Sequence, residues 1–123
     1  MTSVERIVEY TNIEGENLKK REIKNDKNWP NVGKIEFKNV SFAYEDQSDK
    51  NILEDLNLII DSNKRTAIIG RTGIGKSTIF QALYRISEPI GDILIDNVNI
   101  KDVSLYDLRS KLSIIPVSNF LFT

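Results

Sequence analysis

Apolar residues change period several times along this chain, and each change marks an element. Val4, Ile7 and Val8 form one helical stripe, and Thr2 and Glu5 stand at capping-box spacing, so a short helix is predicted at the start. From Thr11 to Asn28 the residues are polar and charged, with Lys19, Lys20 and Arg21 among scattered acids, which reads as a solvated linker. Trp29 and Pro30 end it. Ile35 and Phe37 then alternate on one parity and Val40, Phe42 and Tyr44 on the other, so a strand over Lys34 to Tyr44 is expected with a bulge near Asn39. A polar turn over Glu45 to Asn51 leads to alternating Leu56, Leu58 and Ile60, a second strand antiparallel to the first.

Asp61 to Lys64 turns the chain into Thr66-Ala67-Ile68-Ile69, a short apolar run of the kind found in buried parallel strands. Ile79, Phe80, Leu83 and Ile86 repeat at helical spacing, which predicts a helix to about Ile86 that stops before Pro89. Ile93 to Ile95 and Val98 to Ile100 flank Asp96-Asn97 as a tight hairpin, with Asn97 suited to positive φ. Ser104 caps a last helix whose apolar face is Leu105, Leu108 and Leu112, and Ile114-Ile115 reads as a strand broken at Pro116.

Between the apolar run and its helix lies Gly70-Arg71-Thr72-Gly73-Ile74-Gly75-Lys76-Ser77-Thr78, two glycines with four residues between them followed by Lys-Ser. This is the phosphate-loop pattern in its required order of strand, glycine loop and helix. Glycines let backbone N–H groups turn inward as a nest for phosphate oxygens at a helix N-terminus. Lys76 is placed to reach the outer phosphates, Ser77 to offer its hydroxyl to Mg²⁺, and Gly75 to leave room beside the backbone. Asp96 closes the apolar run Ile93-Leu94-Ile95, so it has two readings: a magnesium-directing carboxylate, or a turn residue facing solvent. Its place at a hairpin favours the turn.

Composition narrows the chemistry. With 40% hydrophobic and 28% charged residues over 123 positions, the chain has ordinary globular composition and the length of one domain or part of one. A net charge of -1 gives no global attraction to nucleic acid or anionic lipid. The absence of cysteine and histidine excludes disulfides, thiol and histidine catalysis and the usual zinc sites within these residues. No apolar run approaches the ~20 residues that span a bilayer.

The phosphate loop, with Tyr44 at the end of a strand before it and Gly91 to Asp96 and Asp107-Leu108-Arg109 after it, resembles the first half of an ABC transporter nucleotide-binding domain. Trp29-Pro30, Gly33 to Phe37, Gly70 to Gly73, Tyr84-Arg85-Ile86 and Ile114-Ile115-Pro116 extend the likeness to the multidrug-resistance-associated subfamily C, and within it to the second nucleotide-binding domain. Ser3 to Ile7 resembles the end of the cytoplasmic helix that leaves the last transmembrane segment.

The resemblance implies an α/β P-loop NTPase fold of ABC ATPase type, a partial domain with a mixed sheet and an antiparallel hairpin before the P-loop strand. It divides the chain into a helix end (1–10), a charged linker (11–28) and the N-terminal half of the domain (29–123). ATP and Mg²⁺ are the implied ligands: Tyr44 stacks on adenine, Gly70, Arg71, Thr72, Gly73, Ile74, Gly75, Lys76, Ser77 and Thr78 hold the phosphates, and Ser77 binds the metal. The implied partners are the transporter's transmembrane domains and its other nucleotide-binding domain, at the cytoplasmic face of a membrane reached only through segments outside these residues. ATP binding and hydrolysis would drive export in the full-length protein.

Two departures limit this. Val117 stands where the family places a magnesium-contacting, coupling glutamine, and valine has neither donor nor acceptor. The family's signature segment, catalytic glutamate and switch histidine are not found here, so the chain by itself is expected to lack meaningful ATPase activity. A nucleotide-binding module without catalysis is the first alternative. A GTPase or small kinase is the second, against which two strands precede the loop and Asn63-Lys64-Arg65-Thr66 fails the guanine-reading motif at its last position.

Overall fold

The computed structural model describes residues 2–13, 15, 28–43 and 51–115. The basic triplet Lys19 to Arg21, Tyr44 and Val117 lie outside the described residues. Helix α1 (Thr2–Thr11) carries the predicted stripe of Val4, Ile7 and Val8, and none of its residues is buried.

Strands β1 (Ile35–Phe42) and β2 (Leu53–Ile60) pair antiparallel, as their alternation predicts. With β3 (Ile90–Ile95) and β4 (Val98–Asn99) they form a four-stranded sheet in the order β2-β1-β3-β4, in which every pairing is antiparallel. The bulge lies at Asn39, whose φ is 49°. Pairing with β2 shifts between Phe37 and Val40, and pairing with β3 shifts between Lys38 and Ser41. One extra residue lets Phe37, Val40 and Phe42 all face the core despite their mixed parity.

Side chains hold the bulge. Asn39 N donates to Asn57 Oδ1 at 3.0 Å, Asn39 Nδ2 to Asp55 Oδ1 at 2.7 Å and Asp55 N to Ser41 Oγ at 3.1 Å. Across from the bulge, Gly91 has φ 88°, and a Cβ built on it would lie 2.2 Å from the Asn39 carbonyl oxygen. Asp96 and Asn97, with φ 49° and 66°, form the tight turn between β3 and β4.

The core gathers Phe37, Val40, Phe42, Ile93 and Ile95 from the sheet with Ile100 and Leu108, and Trp29 seals one end. The indole N–H of Trp29 donates to the Ile95 carbonyl at 2.8 Å, so its polar edge is satisfied in the interior. A 3₁₀ turn (Ile100–Asp102) leads to α3 (Leu105–Lys111), separated from α2 (Lys76–Leu83) by β3 and β4. Ser104 caps α3 as predicted: its Oγ accepts from Asp107 N at 3.1 Å and donates to Asp107 Oδ2 at 2.6 Å. Ser104→Ala is expected to cost about 1 kcal/mol, read as a lower midpoint in urea unfolding.

Three elements differ from their sequence reading. Residues 66–69 form no sheet pairing, and Ile69 is 93% exposed. Ile114 and Ile115 are likewise unpaired, with Ile115 89% exposed. Their composition suits parallel strands, but a parallel strand holds its place only between neighbours, and no described strand lies beside either segment. The helix after the loop ends at Leu83, three residues before Ile86, because Arg85 takes φ 51°. There Ile86 N donates to Gln81 O and Arg85 N to Ala82 O, both at 3.1 Å, the paired bonds of a left-handed helix stop.

Candidate nucleotide site

Residues 70 to 78 close into a loop on the N-terminus of α2. Gly73 and Gly75 have φ 83° and 95°, a region that side chains disfavour. Gly75 is also the residue before the helix, and its α-carbon faces β2, where a Cβ would lie 3.3 Å from both Ile52 Cγ2 and Leu53 Cδ2. A Cβ on Gly70 would lie 2.9 Å from Ile74 Cγ2. At Gly75 the positive φ and the close approach together favour glycine, whereas the neighbour of Gly70 is the side chain of Ile74, itself 62% exposed.

Lys76 folds back over the loop, its Nζ donating to the carbonyls of Gly70 at 2.5 Å and Arg71 at 2.6 Å. The ammonium thus sits above the turn that the glycines make. Thr78 is buried, and its N–H donates to Gly75 O at 3.1 Å. Ser77 is exposed beside it. The donor set suits a polyphosphate: backbone N–H groups at a helix start, a cation held over them, and an accessible hydroxyl for a hard metal ion. From Ser77 a groove of about 740 Å³ runs along α2 past Phe80, Gln81 and Tyr84 toward Ser113, Ile114 and Ile115.

Asp96 stands in the predicted turn, but its carboxylate is engaged by backbone instead of facing solvent or a metal. Its Oδ2 accepts from the backbone N–H groups of Asn31 at 2.7 Å, Val32 at 2.9 Å and Gly33 at 3.0 Å, and its Oδ1 from Lys34 N at 2.8 Å. Burial pushes the carboxyl pKa up, but the four N–H donors outweigh it and hold the pKa below the ordinary value. Both oxygens face the segment that enters β1. Its partners stand more than 60 residues earlier, beyond any local pattern.

Two arginines also escape the motif search. Arg85 Nη1 donates to Ile100 O at 3.1 Å and Val103 O at 3.0 Å, and its guanidinium pairs with Glu88. Arg109, on α3, donates through Nε to Tyr84 O and through Nη2 to Arg85 O, both at 3.0 Å. Their appearance in Tyr84-Arg85-Ile86 and Asp107-Leu108-Arg109 is the one signal of them in the sequence.

A glycine loop of this geometry, closed by its lysine on the first turn of a helix, defines a P-loop NTPase fold. The family model described as ABC transporter matches residues 53–123, and the chain belongs to that family. Bile pigment transporter 1 of Saccharomyces cerevisiae is 48% identical over 121 residues, covering 94% of this chain and 8% of that protein. ATP-binding cassette sub-family C member 4 of Homo sapiens is 43% identical over 123 residues, covering 100% of this chain and 9% of that protein. The solved structure of a bacterial Atm1-family ABC exporter with ATP bound superposes with a TM-score of 0.70 at 40% identity, over 75% of this chain and 16% of that one. The chain thus spans less than a tenth of the length of these two curated relatives. These matches bear out the resemblance to subfamily C, and with it the ABC-type α/β fold.

Proposed function

We propose that this chain is the ATP-binding portion of an ABC exporter of the multidrug-resistance-associated type. The observation that carries the reading is the loop at residues 70–78, with Lys76 seated on the carbonyls of Gly70 and Arg71. Bound nucleotide offers its phosphate oxygens to the loop N–H groups, and Lys76 exchanges the two carbonyls for the outer phosphates. Ser77 supplies a hydroxyl to Mg²⁺, which neutralises charge between the phosphates when bound. Arg71, Thr72 and Ile74 act through their backbone, Thr78 from its buried place in the first turn, and Tyr44 as the adenine platform.

In this reading residues 1–10 end a cytoplasmic helix from a transmembrane domain, 11–28 are the linker, and 29–123 are the N-terminal half of the nucleotide-binding domain. The partners are the transmembrane domains and the second nucleotide-binding domain of the same transporter, and the site faces the cytoplasm. Coupling of ATP hydrolysis to export belongs to the full-length protein.

Titration with a fluorescent ATP analogue and Mg²⁺ tests the site. Lys76→Ala is expected to weaken binding at least about tenfold, equivalent to ~1.4 kcal/mol. Equal affinity in the two proteins would sink the reading.

A second reading, nucleotide binding without catalysis, is favoured for this chain by one observation. Val117 stands where the family places a magnesium-contacting, coupling glutamine, and its side chain has neither donor nor acceptor. Phosphate release is therefore expected at the level of a no-protein control, and steady turnover that vanishes in Lys76→Ala would overturn this.

A further inference from the structure

We propose that Arg85 and Arg109 are positioning residues for the phosphate loop, holding α2 by its C-terminal end so that Ser77 and the loop keep their places. The inference rests on the nucleotide reading above. The P-loop is joined to two segments. On the incoming side residues 64–70 pair with no described strand. On the outgoing side α2 is only eight residues long, so a displacement at its far end is carried over ~12 Å to the loop.

That far end is where both guanidinium groups converge. Arg85 stands at the left-handed position of the helix stop, where glycine is the usual residue, and keeps φ 51°. A strained backbone at a bulky residue persists only where its surroundings hold it. Here the holding contacts are the bonds from Nη1 to Ile100 and Val103 and the pair with Glu88, with the Arg85 side chain only 11% exposed. Arg109 reaches back from α3 to the carbonyls of Tyr84 and Arg85, the groups that a helix end leaves without internal partners.

The two arginines cross: one runs from the end of α2 to the turn before α3, the other from α3 to the end of α2. Their positive charge also sits at the negative end of the α2 dipole. Arg109 is itself well placed, because α3 is capped by Ser104 and anchored by fully buried Leu108. The clamp therefore ties the phosphate-binding helix to the sheet through the segment from Ile100 to Arg109. Loosening it moves Ser77 relative to the loop carbonyls, and the magnesium-dependent part of ATP affinity is the quantity most sensitive to that movement.

The experiment titrates ATP with and without Mg²⁺ into the full chain and into Arg109→Gln, Arg109→Lys, Arg85→Gly and Lys76→Ala, with circular dichroism melts alongside. Arg109→Gln is expected to weaken Mg-ATP binding about threefold to tenfold and to shrink the ratio between the two titrations. Arg109→Lys, which keeps a cation but offers no planar fork, is expected to recover part of both. Arg85→Gly suits the left-handed backbone while removing the bonds to Ile100 and Val103, and is expected to stay folded in the circular dichroism melts, so it reads the clamp even if Arg109→Gln does not fold. It is expected to shrink the same ratio. An unchanged ratio in Arg85→Gly overturns the proposal, as does an equal fall of both affinities in a folded Arg109→Gln that lysine does not rescue. Should Mg-ATP fail to bind the unmodified chain, or bind it and Lys76→Ala alike, the nucleotide reading fails and the proposal with it.

Discussion

Gly91→Ala is expected to cost about 4 kcal/mol or more out of the ~5–15 kcal/mol that holds a domain together, read as a large fall in the urea midpoint. The new Cβ would meet the Asn39 carbonyl oxygen at 2.2 Å, the Asn39 carbonyl carbon at 2.7 Å and the Lys38 oxygen at 2.8 Å. All three are backbone atoms, so no side chain can rotate away. The bulge cannot retreat either, since Asn39 is tied to Asn57 and Asp55 on β2. Gly33→Ala is the matched control: its φ is 78° and nothing lies within 4 Å of the added carbon. That change is expected to cost only the left-handed penalty, ~1–2 kcal/mol. Urea unfolding of the two variants separates contact from conformation, and equal midpoints would refute the argument.

Asp96→Asn is expected to cost about 1–3 kcal/mol and to flatten the acid side of the stability profile. An amide presents one acceptor oxygen and an NH₂ group in place of two acceptor oxygens, so the four N–H groups of Asn31 to Lys34 cannot all be served. Because the folded carboxyl titrates below its ordinary value of 3.8, the stabilisation is complete above that value and is lost as pH falls through the folded pKa. Glu36, held low by hydrogen bonds from Lys34 and Lys38, and Asp61, held low by the hydrogen bond from Lys64, follow the same sign. They remain in the variant, so the difference between the two profiles isolates Asp96. Faster amide exchange at residues 31–34 in Asp96→Asn would locate the effect, and unchanged exchange there would contradict it.

Local grammar explains which features could be read from the residues alone. The parity switch between Phe37 and Val40 announces the Asn39 bulge, and Asp96-Asn97 announces a turn because both residues tolerate left-handed backbone. Ser104 and Asp107 announce a helix start through their spacing. What pattern does not carry is a contact between distant backbone and a side chain. The four donors to Asp96 and the carbonyls held by Arg85 and Arg109 belong to segments with no sequence mark of their role. Nor does an apolar run reveal which neighbours pair with it, which is why residues 66–69 read as a buried strand and pair with no described strand. The loop's own conformation, with Gly73 and Gly75 at positive φ and Lys76 folded over it, is of this local kind, since its glycines and lysine act on adjacent atoms. Tyr44, read as the adenine platform, lies outside the described residues.

Among the described strands β2 lies at the sheet's edge, where a straight, unpaired ladder would invite another strand to pair with it. Asp55, at φ 48°, bends that border, and its carbonyl is already engaged by Asn57 Nδ2 at 3.0 Å. Its N–H turns inward to Ser41 Oγ on β1. The polar knot that sets the register of β1 thus also interrupts the regular strand backbone that an edgewise neighbour would need.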